Sequence, residues 1–313
     1  MIPLFNIPNH TINTKIFRNF LHDKIVDEFI EEFCSYVGVK HGCAINSATN
    51  AIFLSLKDKN TTVEIPTMIP PVVGNAVKLA GCELSFSDNT DWVGDSYTLH
   101  DFGDYKIIDS AQKVERNQFP EEANDDDIMI FSFYPTKPVG GMDGGMIVSN
   151  DKDKIDYFKY MSLNGMSYSE NNWEREQLFI GWKMYLNSAQ AYVALRNLRK
   201  LDNKRKKLED IRTRYNFAFN LDNNSNHLYR IYVSNRDEVQ KHLKDAGIST
   251  GVHYTCLHQS PLLSRVGQPF FSKKPLPKSE ILQDKVLTIP YHENLSHNDV
   301  ETIICQVKQL AKF

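Results

Sequence analysis

A chain of 313 residues with 41% hydrophobic content is long enough to bury a substantial core and to divide into a large domain and an appendage. Its 36 basic and 39 acidic residues leave a formal charge of -3, which provides no basic field for nucleic acid. Five scattered cysteines, none in a C-x-x-C pair, argue against a disulfide framework or a zinc site and fit a reducing cytoplasm; no stretch reaches the ~18 apolar residues of a membrane span, and the first residues do not read as an export signal.

In chain order, residues 16–37 repeat apolar side chains every three or four positions, which predicts one amphipathic helix ended by Gly38. Residues 43–46 read as a short buried strand, Ser47-Ala48-Thr49 as a turn and cap, and 50–56 as the helix it opens. A helix N-terminus after a strand can receive a phosphate. Apolar runs at 63–66 and 83–87 flank a crossover helix at 72–79, and further strands are expected at 105–109, 128–133 and 145–149, the last turning back after the glycines of 140–145. Because ligands gather at the carboxyl ends of strands in open parallel sheets, Asp109 and Ser132 should face one crevice. A continuous helix is expected from 187 to 215; the basic run 199–207 within it reads as a solvated face. A smaller α+β unit follows, with a strand at 228–233, a helix at 236–246, strands near 251–254 and 286–290, and a closing helix at 298–310. The fold class expected is α/β, with a cofactor-binding domain over 1–205 and a small C-terminal domain over 206–313.

Chemistry concentrates around Lys137, which lies 28 residues after Asp109 and follows the aromatic run 131–134. A pyridoxal phosphate site needs an amine to form an imine with the aldehyde, a carboxylate to keep the pyridine nitrogen protonated, and a hydroxyl with backbone amides for the phosphate. Lys137, Asp109 and the Ser47-Ala48-Thr49 turn with Ser132 supply one of each. Asp109 by itself reads more readily as a strand-end cap, and beside Lys137 the functional reading gains. Gln112 reaches the ring or its 3-oxygen, or else is a plain surface polar residue. The glycines of 140–145 match neither a Walker A loop nor a dinucleotide fingerprint and read as a tight turn. His253 and His258 lack acidic or cysteine partners at ligand spacing, so no metal is expected.

With these residues in hand, the chain resembles the DegT/DnrJ/StrS sugar aminotransferases, which are fold-type I pyridoxal phosphate enzymes. Residues 38–49 are similar to that family's Gly-Val-Lys to Ser-Gly-Thr segment, 108–112 to its Glu-Asp-Ala-Ala-Gln, 131–137 to its Ser-Phe-x-x-x-Lys, 181–191 to the segment that crosses the dimer interface, and 247–254 and 287–290 to its C-terminal signatures. The resemblance implies a mixed, mostly parallel sheet sandwiched by helices and a homodimer with shared active sites. It also implies that Lys137 holds pyridoxal 5'-phosphate and shuttles protons, that Asp109 and Gln112 meet its ring, that Ala48, Thr49 and Ser132 bind its phosphate, and that Lys183 reaches the partner's phosphate. His253 and Tyr254 are placed near the substrate, a nucleotide-linked ketosugar aminated by an amino acid, L-glutamate first. Three departures stand out. Ala48 replaces the middle glycine of the phosphate turn, which requires a negative φ; Pro70 stands where the family presents a stacking aromatic; and no glycine precedes Gly38. The alternatives are a dehydratase of the same family, in which histidine replaces the anchoring lysine, and a non-catalytic sugar- or cofactor-binding homologue.

Overall fold

The most apolar strands form the middle of the sheet. In the computed structural model, which describes residues 1–7, 10–167, 174–260 and 274–313, every residue of β6 (Ile128–Ser132) and β7 (Gly145–Ser149) is buried. Such runs suit strands covered on both faces. The five-stranded sheet has the order β1-β7-β6-β5-β4, with β1 at His41–Ile45, β4 at Tyr97–Asp101 and β5 at Lys106–Asp109. β5 and β6 pair in parallel, while β7 opposes both β6 and β1, and β4 opposes β5. The sheet is therefore mixed, with most of its strands (β1, β5 and β6) pointing the same way. β2 (Thr62–Pro66) and β3 (Glu83–Ser87) form a second parallel pair joined by α3 (Pro71–Leu79).

Period-two alternation splits the sheet's side chains between two cores. Cys43, Ile45, Ile107, Ile128, Ile130 and Ile147 pack in one cluster with side chains of α2 (Ala48–Leu56), α3 and α5 (Lys152–Ser162). Ala44, Ile108, Met129, Phe131, Met146 and Val148 face the opposite cluster, with side chains of α1 (Lys24–Val37) and α6 (Ser188–Leu198). A third core gathers Leu208, Ile211, Tyr215 and Phe219 of α7 (Leu201–Phe219) with β8 (Tyr229–Tyr232), α8 (Arg236–Asp245), β9 (Val286–Ile289) and α10 (His297–Leu310). Two further short helices are α4 (Gln118–Glu122) and α9 (Pro277–Gln283). The α/β class and the sandwiched mixed sheet stand as expected, and no described helix is long and apolar enough to cross a membrane.

Four expectations change, the first being that the strand expected near 251–254 reduces to a single bridge between Gly251 and Thr288. The helix predicted over 16–37 begins at Lys24, because Asp23 caps it and also accepts the Arg18 and Asn19 amides at 2.7 and 3.3 Å, folding 18–22 into a loop. The helix predicted over 187–215 breaks after Leu198. There the Lys200 amide turns to the Asn197 carbonyl three residues back, while the Asn197 side chain donates to the Gly140 carbonyl. Finally, β4 was not expected; it forms a hairpin with β5 and sets Tyr97 directly opposite Asp109.

Candidate active site

Asp109 ends β5, and its carboxylate is only 3% exposed. Oδ1 accepts the Ala111 amide at 2.9 Å and Oδ2 accepts the Tyr97 hydroxyl at 3.0 Å. Burial pushes its carboxyl above the ordinary range, and the Ala111 and Tyr97 donors and the Lys137 charge oppose that rise. A strand-end cap would explain the Ala111 bond but not the buried tyrosine donor.

Lys137 follows β6 in a loop closed by its own amide on the Tyr134 carbonyl at 2.9 Å and by the Gly141 amide on the Phe133 carbonyl at 2.7 Å. Gly140 holds φ +62°, and a Cβ there would approach the Pro135 carbonyl oxygen to 2.9 Å, so the turn requires glycine. Desolvation lowers the Lys137 amine to about 8, with Asp109 acting against the fall. Among the described residues the amine has no carboxylate within salt-bridge distance, so Asp109 stabilises its charge only at longer range.

Two imidazoles, buried His227 and half-buried His253, feel the charge of this amine. Burial and then the Lys137 charge hold His227 well below its usual value, and the same causes lower His253 to about 4, with Arg230 adding to the effect. Both are neutral at pH 7, so neither adds positive charge beside Lys137. His253 Nδ1 lies 2.9 Å from Thr288 Oγ1, whereas His258 contacts Thr67 and Glu280; the two histidines do not converge. Gln112 is 2% exposed, which removes the surface reading. Its Oε1 accepts the Gly94 amide at 2.8 Å and its Nε2 donates to the Tyr254 hydroxyl at 3.0 Å. Tyr254 stacks on Trp92 with centroids 6.0 Å apart and planes 8° from parallel.

At the other strand ends, Ser47 caps α2 by accepting the Asn50 amide at 3.2 Å. Ala48 opens that helix with negative φ, as its replacement of glycine requires. Among the described residues the Ala48 and Thr49 amides have no acceptor, as at any helix start. Gly145 presses on this turn, since a Cβ there would meet the Ala48 nitrogen at 2.7 Å. Ser132 is buried and its Oγ accepts the Tyr134 amide at 3.3 Å, leaving its own proton for another acceptor. A depressed amine, a fixed carboxylate, two unpaired helix-start amides and a hydroxyl with a proton to give suit the aldehyde, ring nitrogen and phosphate of pyridoxal phosphate.

Lys183 lies elsewhere in the chain: it is exposed, bridges to Leu163, and its charge is felt at His22 rather than at Lys137. Pro70 caps α3 and is half-buried. Four residues that motif reading missed join the site: Tyr97 on Asp109, Trp92 under Tyr254, the buried His227, and Arg230, whose Nη2 donates to the Thr90 carbonyl at 3.2 Å. Only Arg230 had a sequence signal, a cation inside an otherwise apolar strand.

The model of the DegT/DnrJ/EryC1/StrS aminotransferase family matches residues 13–77 and 121–308. The unmatched 78–120 include the β4–β5 hairpin and Asp109. The chain is 26% identical to a UDP-4-amino-4,6-dideoxy-N-acetyl-beta-L-altrosamine transaminase of Campylobacter jejuni, over 90% of this chain and 88% of that protein. It is 27% identical to the spore coat polysaccharide biosynthesis protein SpsC of Bacillus subtilis, over 92% and 90%. Among solved structures it is similar in fold to Helicobacter pylori PseC, an aminotransferase involved in the biosynthesis of pseudoaminic acid (TM-score 0.78, 20% identity, 97% of this chain and 98% of that one). A putative sugar aminotransferase, Spr1654 of Streptococcus pneumoniae, superposes with a TM-score of 0.81 at 18% identity over 97% and 98%.

Proposed function

The chain belongs to the DegT/DnrJ/EryC1/StrS aminotransferase family, and we propose that it transfers an amino group from L-glutamate to a keto carbon of a nucleotide-linked deoxysugar. The observation behind this reading is the Lys137 amine, lowered to about 8 and opposed by a buried Asp109 that two donors hold in place. Pyridoxal 5'-phosphate, when bound, supplies the aldehyde that takes up nitrogen and a ring that withdraws electrons from the reacting carbon.

The residues divide the work. Near pH 8 about half of Lys137 is the neutral amine, a competent nucleophile, and with pyridoxal phosphate bound the same nitrogen would carry a proton between the substrate carbon and the cofactor's C4' carbon. Asp109 holds a proton on the ring nitrogen by remaining anionic, which the Tyr97 and Ala111 donors favour against burial. Ser132 and the amides of Ala48 and Thr49 take the phosphate. Gln112 orients Tyr254 by its 3.0 Å bond, and Tyr254 and His253 border the substrate. Neutral His253 and His227 add no positive charge near the amine.

The exposed Lys183 acts across a homodimer, reaching the partner's phosphate. The same reading places the enzyme in the cytoplasm and divides it within α7 into the 1–205 and 206–313 units, in keeping with the separate core that begins at Leu208. The name of the Campylobacter relative puts UDP-linked dideoxy ketosugars first among acceptors to try. A lysine at 137 favours transamination over the dehydratase alternative. Transfer of ¹⁵N from labelled glutamate to a ketosugar nucleotide tests the reading, and undiminished transfer by Lys137→Ala would sink it.

A further inference from the structure

The basic run 199–207 does not form a single solvated face. Arg199 turns to Glu28 and Glu32 on α1, and Arg205 pairs with Glu115 at 2.9 Å, so both are neutralised. Lys200, Lys204 and Lys207, spaced four and three apart, share the other side of the helix start. With Arg196 of α6 they line a cavity of about 750 Å³, whose other walls include Asn6, the Lys137 loop at Pro135 and Gly140, and Glu293. Four cations against one carboxylate leave a net charge of +3 with His10 neutral. Lys204 Nζ donates to the Pro138 carbonyl at 3.0 Å, beside Lys137, and lies 3.9 Å from Glu293. Among the described residues, Lys200 and Lys207 have no carboxylate within 4.0 Å.

This cavity adjoins the candidate active site. His227 feels the charges of both Lys137 and Lys204, and it stacks on Phe5, the neighbour of the wall residue Asn6, with centroids 6.3 Å apart. A single amino-acid carboxylate would balance one cation and fill little of this volume. A polyanion with a bulky appendage balances several.

We infer that the Lys200–Lys204–Lys207 cavity is a subsite for the diphosphate of a nucleoside-diphosphate-linked substrate, holding the nucleotide while the sugar extends toward Lys137. The inference rests on the sugar-nucleotide reading above and adds to it the residues that recognise the diphosphate.

Calorimetric titration of the protein with UDP, UMP, pyrophosphate and phosphate tests it. UDP and pyrophosphate should compete with each other and bind at least about tenfold tighter than UMP or phosphate, as extra charge-assisted hydrogen bonds require. Replacing both lysines (Lys200→Ala with Lys207→Ala) should weaken UDP by about tenfold or more. Lys206→Ala, equally exposed on α7 but outside the cavity, should stay within about twofold of wild type. Equal losses in the Lys206 variant, or unchanged UDP affinity in the double variant, would overturn the subsite, as would pyrophosphate binding without UDP binding. The ¹⁵N-transfer assay separates the two levels. Sugar-nucleotide transfer with the double variant still binding UDP normally sinks the subsite alone; lysine-dependent UDP binding by a protein that aminates no sugar nucleotide sinks the proposed function and supports the subsite.

Discussion

Removing one hydroxyl tests the electrostatics of the site. Tyr97→Phe keeps the ring that packs edge-on against Trp92 at 5.0 Å and deletes only the donor to Asp109 Oδ2. A hydrogen bond donated to a buried charged group is worth roughly 1.5–3 kcal/mol. The Asp109 carboxyl, already raised by burial, should therefore climb further when that donor is lost. The sign follows from linkage. A carboxyl whose folded pKa exceeds its unfolded one contributes stability that is present below the unfolded value and lost as pH rises through the folded value. The variant raises the folded value further because it destabilises the native carboxylate and spares the native acid. Its stability deficit should therefore be small near pH 3, grow as pH rises from the wild type's folded value toward the variant's, and reach about 1.5–3 kcal/mol only once Asp109 is ionised in the variant as well. Urea unfolding of the cofactor-free protein from pH 3 to 8, with ¹³C-carboxyl NMR of Asp109, measures both quantities. A deficit of the same size at every pH would show that the tyrosine acts by packing, and the reasoning would fail.

The depressed Lys137 amine predicts that the rate of pyridoxal phosphate capture, followed by borohydride trapping and peptide mapping, rises with pH and levels off above about 8; a rise continuing to pH 10 would contradict the cited lowering. Gly145→Ala should push the α2 start away from β7, costing about 1–3 kcal/mol in thermal or urea unfolding and weakening cofactor retention in dialysis, because the added Cβ would sit 2.7 Å from the Ala48 nitrogen. If Lys183 serves the partner's site, mixing inactive Lys137→Ala and Lys183→Ala proteins under subunit exchange should restore about a quarter of wild-type activity, since half the dimers then hold one intact site. No recovery on exchange would confine both lysines to one subunit's site. Gln112→Ala should release the Tyr254 hydroxyl and raise KM for the acceptor more than it lowers kcat for the donor half-reaction, as read by stopped-flow absorbance.

How much was legible followed from how local each determinant is. Strands β1, β2, β3 and β5 to β9 and helices α1 to α3, α6 to α8 and α10 were readable because apolar periodicity and punctuating glycines act over a few residues, whereas α4, α5 and α9 went unread. The β4 strand was missed although Tyr97 to His100 alternate and Phe102-Gly103-Asp104-Tyr105 can turn a hairpin, with Gly103 at φ +92°; its short, half-polar pattern resembled a loop. The start of α1 had a local signal, the Asp23 cap, that the longer apolar period masked, and distant Ser188 reinforces it; the break before α7 involves Gly140, a partner of Asn197 that no window of sequence contains.

The same distinction divides the site. The amino acid order alone determined which groups were available, an amine at 137, an acid at 109, a capped helix start at 47–49, because chemical identity and local turns need no distant neighbour. Only the tertiary structure decided how those groups are charged and oriented. Desolvation, the Tyr97 donor from an adjacent strand, neutral His227 and His253 against Lys137, and the division of the basic run between paired arginines and a lysine-lined cavity all arise where segments remote in the chain meet. Electrostatic energies depend on distance and burial in space, and neither is written along the backbone.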